Sequence, residues 1–575
     1  MHKVLRAHLE QFKQNYAIED EDDRAFEAFS SFVILRSMSS DSVDPSDLVY
    51  RGDDSGIDSI MVFFDDEYVA STEEADAIFK RRMRDIDVSI ILIQAKTSEK
   101  WRKSDINNFE SAALDFFDEE QEYPISDFVK NQRDLFDKII ENVGRVHSGK
   151  PRVFAYFATS APSNQPTEIS AAFRTFQKSL KRTGFFSGVE TRPLCRDEII
   201  DLWNKSEGPI EAKLPIIANA PFPKTKGIQE SYVLTARAPD FVESILSDDN
   251  GNLRPRVFEE NVRDFIGLDE DVNGEIAATL RHGEKKHTFG VLNNGITIVS
   301  PDVRVQSYEI YMKDYQIVNG CQTSHILYEL QDFLDEDVTL TIKVIEAESP
   351  DIIDDIVRST NRQTKVQDSQ FLATLDAVKA IERYFNARGQ DEEHRLFFER
   401  RKNQYGSVEA APAIRVFDIK DVARAAGAMF FDRPDLACRY PNRLTSEMCD
   451  IIFSTENREE IFYTAAYASY RLHLHLNNKR IDPKFRFLKW HTLMALRHYI
   501  LGRQTSQPSS KKVAEDCEKI DKFMRSSRDK DIQKIRDLVQ IFEPVDEITR
   551  DKIKGQTFVN FTRTKALSLS GRVKS

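Results

Sequence analysis

The chain has 575 residues, of which 40% are hydrophobic and 31% charged, and a net charge of −14. This is enough for two to four domains with sizeable cores, and it excludes a disordered chain. The acidic balance argues against a protein that coats nucleic acid nonspecifically, but not against an enzyme with local basic surfaces.

No stretch approaches the roughly 20 uninterrupted apolar residues of a membrane span. Met1 to Tyr16 lacks the apolar core of a signal peptide. Five scattered cysteines (Cys195, Cys321, Cys438, Cys449, Cys517) form no CxxC pair. They predict neither a zinc ribbon nor a disulfide framework, and a reducing cytoplasm is the expected location. Charge is unevenly spread. Glu19 to Asp23 is an acidic run, whereas Arg471 to Lys512 holds ten Lys and Arg against one acid, Asp482.

In chain order, Phe26, Phe29 and Val33 recur at helical spacing and predict a helix over Asp23 to Arg36, capped by Asp22 or Asp23. Ile57 to Phe64 and Ile86 to Gln94 read as strands, with a helix or long excursion over Glu73 to Arg84 between them. Asp105 to Phe117 and Phe128 to Val143 read as amphipathic helices. Arg152 to Thr159 reads as a buried strand, and Asp197 to Trp203 as a short helix. The order predicts an α/β domain over 1–206. Residues 207–230, rich in Pro and Ala, read as an extended linker.

An α+β region is expected over 231–410. It has a strand pair around Gly290 to Val299 broken at Asn293-Asn294-Gly295, and a strand at Tyr315 to Val318. A helix from Gln322 to Phe333 and a strand at Leu340 to Ile345 follow. Residues 411–575 are expected to be mainly helical, with the basic segment 471–512 inside them.

The chemistry concentrates at Gly56-Ile57-Asp58 and Gln94-Ala95-Lys96. Mg²⁺ prefers oxygen ligands. The Asp58 carboxylate, the Gln94 side chain and the Ala95 carbonyl offer them. Glu27, with Glu19 and Glu21 as nearby alternatives, adds a second carboxylate. Lys96 would stand beside the attacking water and the phosphate. An isolated triplet of this kind is equally a turn aspartate and a solvated lysine. Here both halves fall at strand ends in order, flanked by helices.

This pattern resembles the PD-(D/E)XK nuclease superfamily, most closely its Mrr-like restriction-endonuclease branch, in which Q-x-K replaces E-x-K. The resemblance implies a restriction-endonuclease-like domain and a Mg²⁺- or Mn²⁺-dependent endonuclease with Asp58, Gln94, Lys96 and Glu27 as catalytic residues. Asp58, Gln94, Ala95 and Glu27 would be the metal ligands. The neutral glutamine leaves one carboxylate fewer, and superfamily relatives without activity exist. A nuclease fold acting only as a sensor or binding protein is the alternative.

Further along, Phe258 to Phe265 (FEENVRDF), Val291 to Val299 (VLNNGITIV), Ile317 to Ser324 (IVNGCQTS), Ser359 to Val366 (STNRQTKV) and Phe397 to Tyr405 (FFERRKNQY) occur in one order. Taken one by one, these amide and glycine clusters are turn chemistry. Together they resemble the AIPR family of abortive phage infection proteins, which implies an antiphage role. Arg358, Asn361, Arg400, Arg401, Lys402, Lys484, Arg486 and Lys489 are the candidate nucleic-acid contacts. Around Leu488 to Leu501 the competing expectation is an amphipathic helix. There Trp490, Leu493 and Leu496 would face a core, with Lys489 and Arg497 solvated. Expected partners are nucleic acid, DNA ahead of RNA, a homodimer or higher oligomer, and a phage-derived trigger or operon partner; no membrane is expected.

Overall fold

A computed structural model describes residues 1–573 except 40–42, 50–55, 66, 83, 119, 121, 123–126, 249–250, 252, 259–270, 282–285, 348, 361–375, 389–391, 402–403, 406–410, 439–440, 504–505 and 546–547. The chain divides into two compact units, Met1–Phe12 with Asp20–Val366, and Lys13–Glu19 with Gln367–Ser575. Among the described residues no helix is long and apolar enough to cross a membrane.

The chain opens with α1 (Lys3–Tyr16) and α2 (Asp22–Met38). A five-stranded sheet follows in the order β2-β1-β3-β4-β5. It is built from β1 (Ser59–Phe64), β2 (Glu67–Val69), β3 (Val88–Lys96), β4 (Arg152–Thr159) and β5 (Gly188–Leu194). β1 runs antiparallel to β2 and β3, while β3, β4 and β5 are parallel. The parallel partners require crossovers. These are supplied by α4 (Lys103–Phe117) and α5 (Asp127–Glu141) between β3 and β4, and by α6 (Thr167–Thr183) between β4 and β5, with α3 (Thr72–Arg81) between β2 and β3.

β3 is buried from Val88 through Ala95, which explains its near-continuous apolar run. Ile90 and Leu92 join Ile60, Val62, Val153, Phe109 and Phe176 in the core under α4 and α6. On α2, Phe29 packs with Phe12 at 5.2 Å and with Trp203 of α7 (Arg196–Glu207) at 5.2 Å. Helices therefore flank a sheet whose central strand has no wet face.

The segment 207–230 is not a free linker. β6 (Glu211–Pro215) pairs with β11 (Glu309–Lys313) in a three-stranded sheet, β10-β11-β6, with β10 at Asp302–Gln306. β7 (Ala218–Pro221) pairs with β8 (Ser231–Arg237) at the edge of a second five-stranded sheet, β12-β9-β13-β8-β7. Ala212 and Leu214 are buried while their neighbours are exposed, a period of two. Pro215 and Pro221 end their strands, where a missing N–H is tolerated.

In that sheet β9 (Ile296–Ser300) is antiparallel to β12 (Gln316–Asn319) and parallel to β13 (Thr339–Glu346). The strand pair expected around Gly290 is instead one helical turn, Phe289–Leu292, leading into β9. Glycine lets this segment approach β13 closely: a Cβ on Gly290 or Gly295 would lie 2.8 or 2.7 Å from the Thr339 or Thr341 carbonyl oxygen. α8 (Cys321–Glu329) and α9 (Pro350–Thr360) complete the region.

Among its described residues the second unit is helical, apart from the short parallel pair Phe397–Glu399 and Val416–Asp418. Its core brings together α10 (Ile419–Phe430), α11 (Glu460–Asn477) and α12 (Lys489–Leu501) through small and aromatic residues such as Ala423, Ala426, Tyr463, Leu493 and Leu496. Arg497 is not solvated as its helical position suggested. It is 2% exposed and donates to Asp432 Oδ1 at 2.6 Å. Periodicity cannot reveal a carboxylate 65 residues away.

Candidate metal centre at the end of the central strand

The strand ladder between β1 and β3 runs to Ser59, opposite Ile93. Just before β1 the Asp58 side chain continues the connection. Its Oδ2 accepts the Ala95 N–H at 2.7 Å, while its own N–H donates to the Ile93 carbonyl at 2.8 Å. Asp58 is thereby fixed, 4% exposed, at the end of β3 where Gln94 and Lys96 lie on one face.

Gly56 makes this geometry accessible. It has φ +87°, and α4 closes on it so tightly that a Cβ would lie 3.0 Å from Ala112 Cβ and 3.1 Å from the Asn108 carbonyl oxygen. Gly56→Ala is expected to destabilise the first unit by about 1–3 kcal/mol through strain and this contact. Chemical denaturation of the full chain would show it as an earlier first transition.

Glu27 reaches the same place from α2. It is 8% exposed and accepts from Arg24 Nη1 at 3.0 Å. Burial, helped by the Asp58 carboxylate, pushes its carboxyl up to about 7 against the opposing pull of Arg24 and Lys96. The Thr97 hydroxyl bonds to Asp23 one turn earlier and ties α2 to the exit of β3. The structure thus brings together Asp58, Ala95, Lys96 and Glu27, and Gln94 directly precedes Ala95 on β3. Gln94 is 2% exposed, and among the described residues no donor reaches its Oε1.

A buried, unpartnered acceptor costs about 1–3 kcal/mol. The same strand end fixes the Asp58 carboxylate, whose charge Glu27 feels, and oxygens of this kind suit a hard divalent cation. Among the described residues no group of three or more His, Cys, Asp or Glu is placed to hold a metal. Arg24, three residues before Glu27 on the same helical face, is a contributor the sequence reading did not single out; its i,i+3 spacing was the available signal.

The raised Glu27 has a consequence for stability. A carboxyl raised in the folded state favours folding below its ordinary value, and that contribution is lost as pH rises through about 7. Without divalent metal, Glu27→Gln should stabilise the protein at pH 8 by about 1–2 kcal/mol, allowing for partial solvent screening, and not at pH 5. Equal thermal shifts at both values would contradict the assignment.

The AIPR protein family model matches residues 258–553, just over half of the chain. The chain belongs to the AIPR family. No curated protein and no solved structure matches it significantly. Family membership points to antiphage defence by abortive infection. Residues 1–257, with the centre described above, lie outside the match.

Within the AIPR region the shared motifs converge structurally. Asn319 Nδ2 donates to the Thr360 carbonyl at 3.1 Å, joining the end of β12 to the end of α9. Gly320, at φ +91°, would place a Cβ 2.9 Å from Ile296 Cγ1, so the IVNGCQTS motif packs directly on the VLNNGITIV motif. Asn293 contacts Thr323 of α8 at 3.4 Å.

The candidate nucleic-acid contacts that the structure describes in the helical unit are engaged within it. Asn361 and Lys402 lie outside the described residues, as does the Arg358 side chain. Arg400 and Arg401, expected to meet a nucleic acid, are instead buried at 4% and 7% exposure. Arg400 Nε donates to Glu382 at 2.8 Å, and burial lowers Arg401 to about 10. A run of basic residues cannot show that a distant acid balances it.

Lys484 pairs with Glu543 at 2.6 Å, and Arg486 bonds to the Asn477 side chain. Lys489 lies 5.2 Å from the centre of the Trp490 ring, which also carries Arg424 at 4.6 Å. These contacts are internal to the helical unit.

Proposed function

We propose that this AIPR protein is a metal-dependent endonuclease with an N-terminal PD-(D/E)XK domain of the Mrr-like kind, hydrolysing nucleic-acid phosphodiester bonds in antiphage defence. The observation that carries the reading is the buried Gln94 Oε1, which has no hydrogen-bond partner among the described residues, on a strand end that also fixes Asp58 through the Ala95 N–H and where Glu27 feels the charges of Asp58 and Lys96. The mixed sheet, with Asp58 before one strand and Gln94 and Lys96 at the end of its antiparallel neighbour, supports it.

Asp58, Glu27, the Gln94 side chain and the Ala95 carbonyl would hold Mg²⁺ or Mn²⁺. When bound, such an ion supplies Lewis acidity and lowers the pKa of water. Asp58 is kept in place by the Ala95 N–H, and Glu27 by Arg24. Lys96 supplies positive charge where negative charge accumulates on the phosphate as water adds to phosphorus and the P–O ester bond breaks.

The test is cleavage of plasmid DNA, phage DNA and total RNA with and without Mg²⁺ or Mn²⁺, beside Lys96→Ala. Metal-dependent cleavage lost in the variant supports the reading and names the substrate. Cleavage retained in full by the variant refutes the site, and a folded protein that never cleaves would favour a nuclease-fold sensor.

A further inference from the structure

We infer that the loop following the Gln-x-Lys strand, with the first turn of α4, is a docking surface for a phosphodiester backbone formed by Lys100, Arg102 and Lys103. The inference rests on the nuclease reading above and gives that site its substrate contact.

All three residues are exposed. Among the described residues none of their side chains has an ion-pair or hydrogen-bond partner. Other cations nearby are engaged: Arg6 lies 3.7 Å from Asp22, and Arg24 is bound to Glu27. The two acids within the same stretch are also occupied. Glu99 lies 3.5 Å from the Met1 ammonium, and Asp105 accepts from the Ser104 hydroxyl at 3.4 Å.

The loop is held rather than loose. Trp101 packs against Phe157 at 6.4 Å between ring centres. The Ser98 hydroxyl accepts the Lys100 N–H at 3.0 Å, and its carbonyl accepts from Thr159 at 3.1 Å. The cations on either side of the Trp101 anchor therefore stand on a fixed support.

Their placement runs against local helix preference. The N-cap of α4 is Arg102, with no side-chain cap bond, and its first residue is Lys103. Ser, Thr, Asp or Asn is favoured at that cap, and cations at the positive end of a helix cost about 0.3–1 kcal/mol each. A sequence that breaks a local rule at an exposed position points to a use for it, and a bound anion is the use that the charge fits.

The position suits the site. Asn108 of α4 leaves no room for a side chain at Gly56, two residues before Asp58, where a Cβ would lie 3.1 Å from the Asn108 carbonyl oxygen. Lys103 is five residues before Asn108, about 7.5 Å along the helix axis at the usual rise. Lys100 follows Lys96 by four residues.

The test is fluorescence anisotropy of a short duplex DNA and a single-stranded RNA of equal length across a salt series. It uses the full chain in EDTA and again in Ca²⁺, with cleavage in Mg²⁺ assayed in parallel. The variant is Lys100→Glu/Arg102→Glu/Lys103→Glu. Because acids suit a helix N-terminus, it should melt no lower than the wild type.

The expected result is at least about a tenfold loss of affinity. The slope of log affinity against log salt should fall by about 2–3 on duplex DNA. The nucleic acid bound more tightly by the wild type identifies the source of the backbone. Unchanged affinity and slope would overturn the surface while leaving the nuclease reading intact. Failure of the wild type to bind either nucleic acid would also overturn it, and the parallel cleavage assay then decides the nuclease reading separately.

Discussion

Lys96→Ala should reduce metal-dependent cleavage about a hundred- to a thousandfold, the usual cost of removing one charge-stabilising donor from a hydrolytic site. The loss should appear in kcat, because Lys96 would act on charge that develops only as the ester breaks. Lys96 is only half-buried at the last position of β3, so the melting temperature should hardly change.

Asp58→Ala should abolish activity by a different route. It removes a metal oxygen and the acceptor of the Ala95 N–H together. A readout independent of turnover separates the two variants: Mg²⁺ should raise the first thermal transition of the wild type and of Lys96→Ala, but not of Asp58→Ala. Mg²⁺-induced stabilisation that persists without Asp58 would place the metal elsewhere.

Asp432→Ala should destabilise the helical unit by about 3–5 kcal/mol, the cost of leaving a buried charge without its partner. Arg497, at 2% side-chain exposure, forms an ion pair with Asp432 at 2.6 Å. The same carboxylate receives His498 at 3.0 Å and lies 3.6 Å from Arg563.

Burial alone would raise Asp432. The hydrogen bond with His498 and the charges of Arg497 and Arg563 outweigh it and hold the carboxyl below its ordinary value. A depressed carboxyl stabilises above its unfolded pKa of about 3.9 and loses that contribution as pH falls through the lower folded value. Urea denaturation followed by circular dichroism at pH 7 and pH 3 should therefore show a gap between wild type and variant that narrows in acid. A variant as stable as the wild type at pH 7 would mean that Arg497 is compensated by other groups.

The strand-borne part of the candidate site was legible because a strand buried on both faces leaves a long apolar run, and the polar residues ending it stand out. Gln94 and Lys96 are such residues, and Phe26, Phe29 and Val33 marked the helix that carries Glu27. The vacant acceptor on Gln94 depends on what surrounds it in three dimensions, and no pattern in the chain reports that. The same limit explains Arg400, Arg401 and Arg497. Each looked like a surface cation until Glu382, the protein interior or Asp432 was placed around it. The reading of 207–230 failed differently. Its prolines outweighed the Ala212–Leu214 alternation, although an edge strand accommodates both.

That weave has a further consequence. The AIPR match begins at 258, downstream of β6, β7 and β8, yet β8 flanks β13 and β6 flanks β11. A fragment starting at the family boundary would leave the backbone donors and acceptors of β11 and β13 open along one side, and such uncovered rims recruit other chains. The stretch that defines the family by descent is therefore not one that can fold cleanly alone, and the strands upstream of it act as its built-in guard against aggregation.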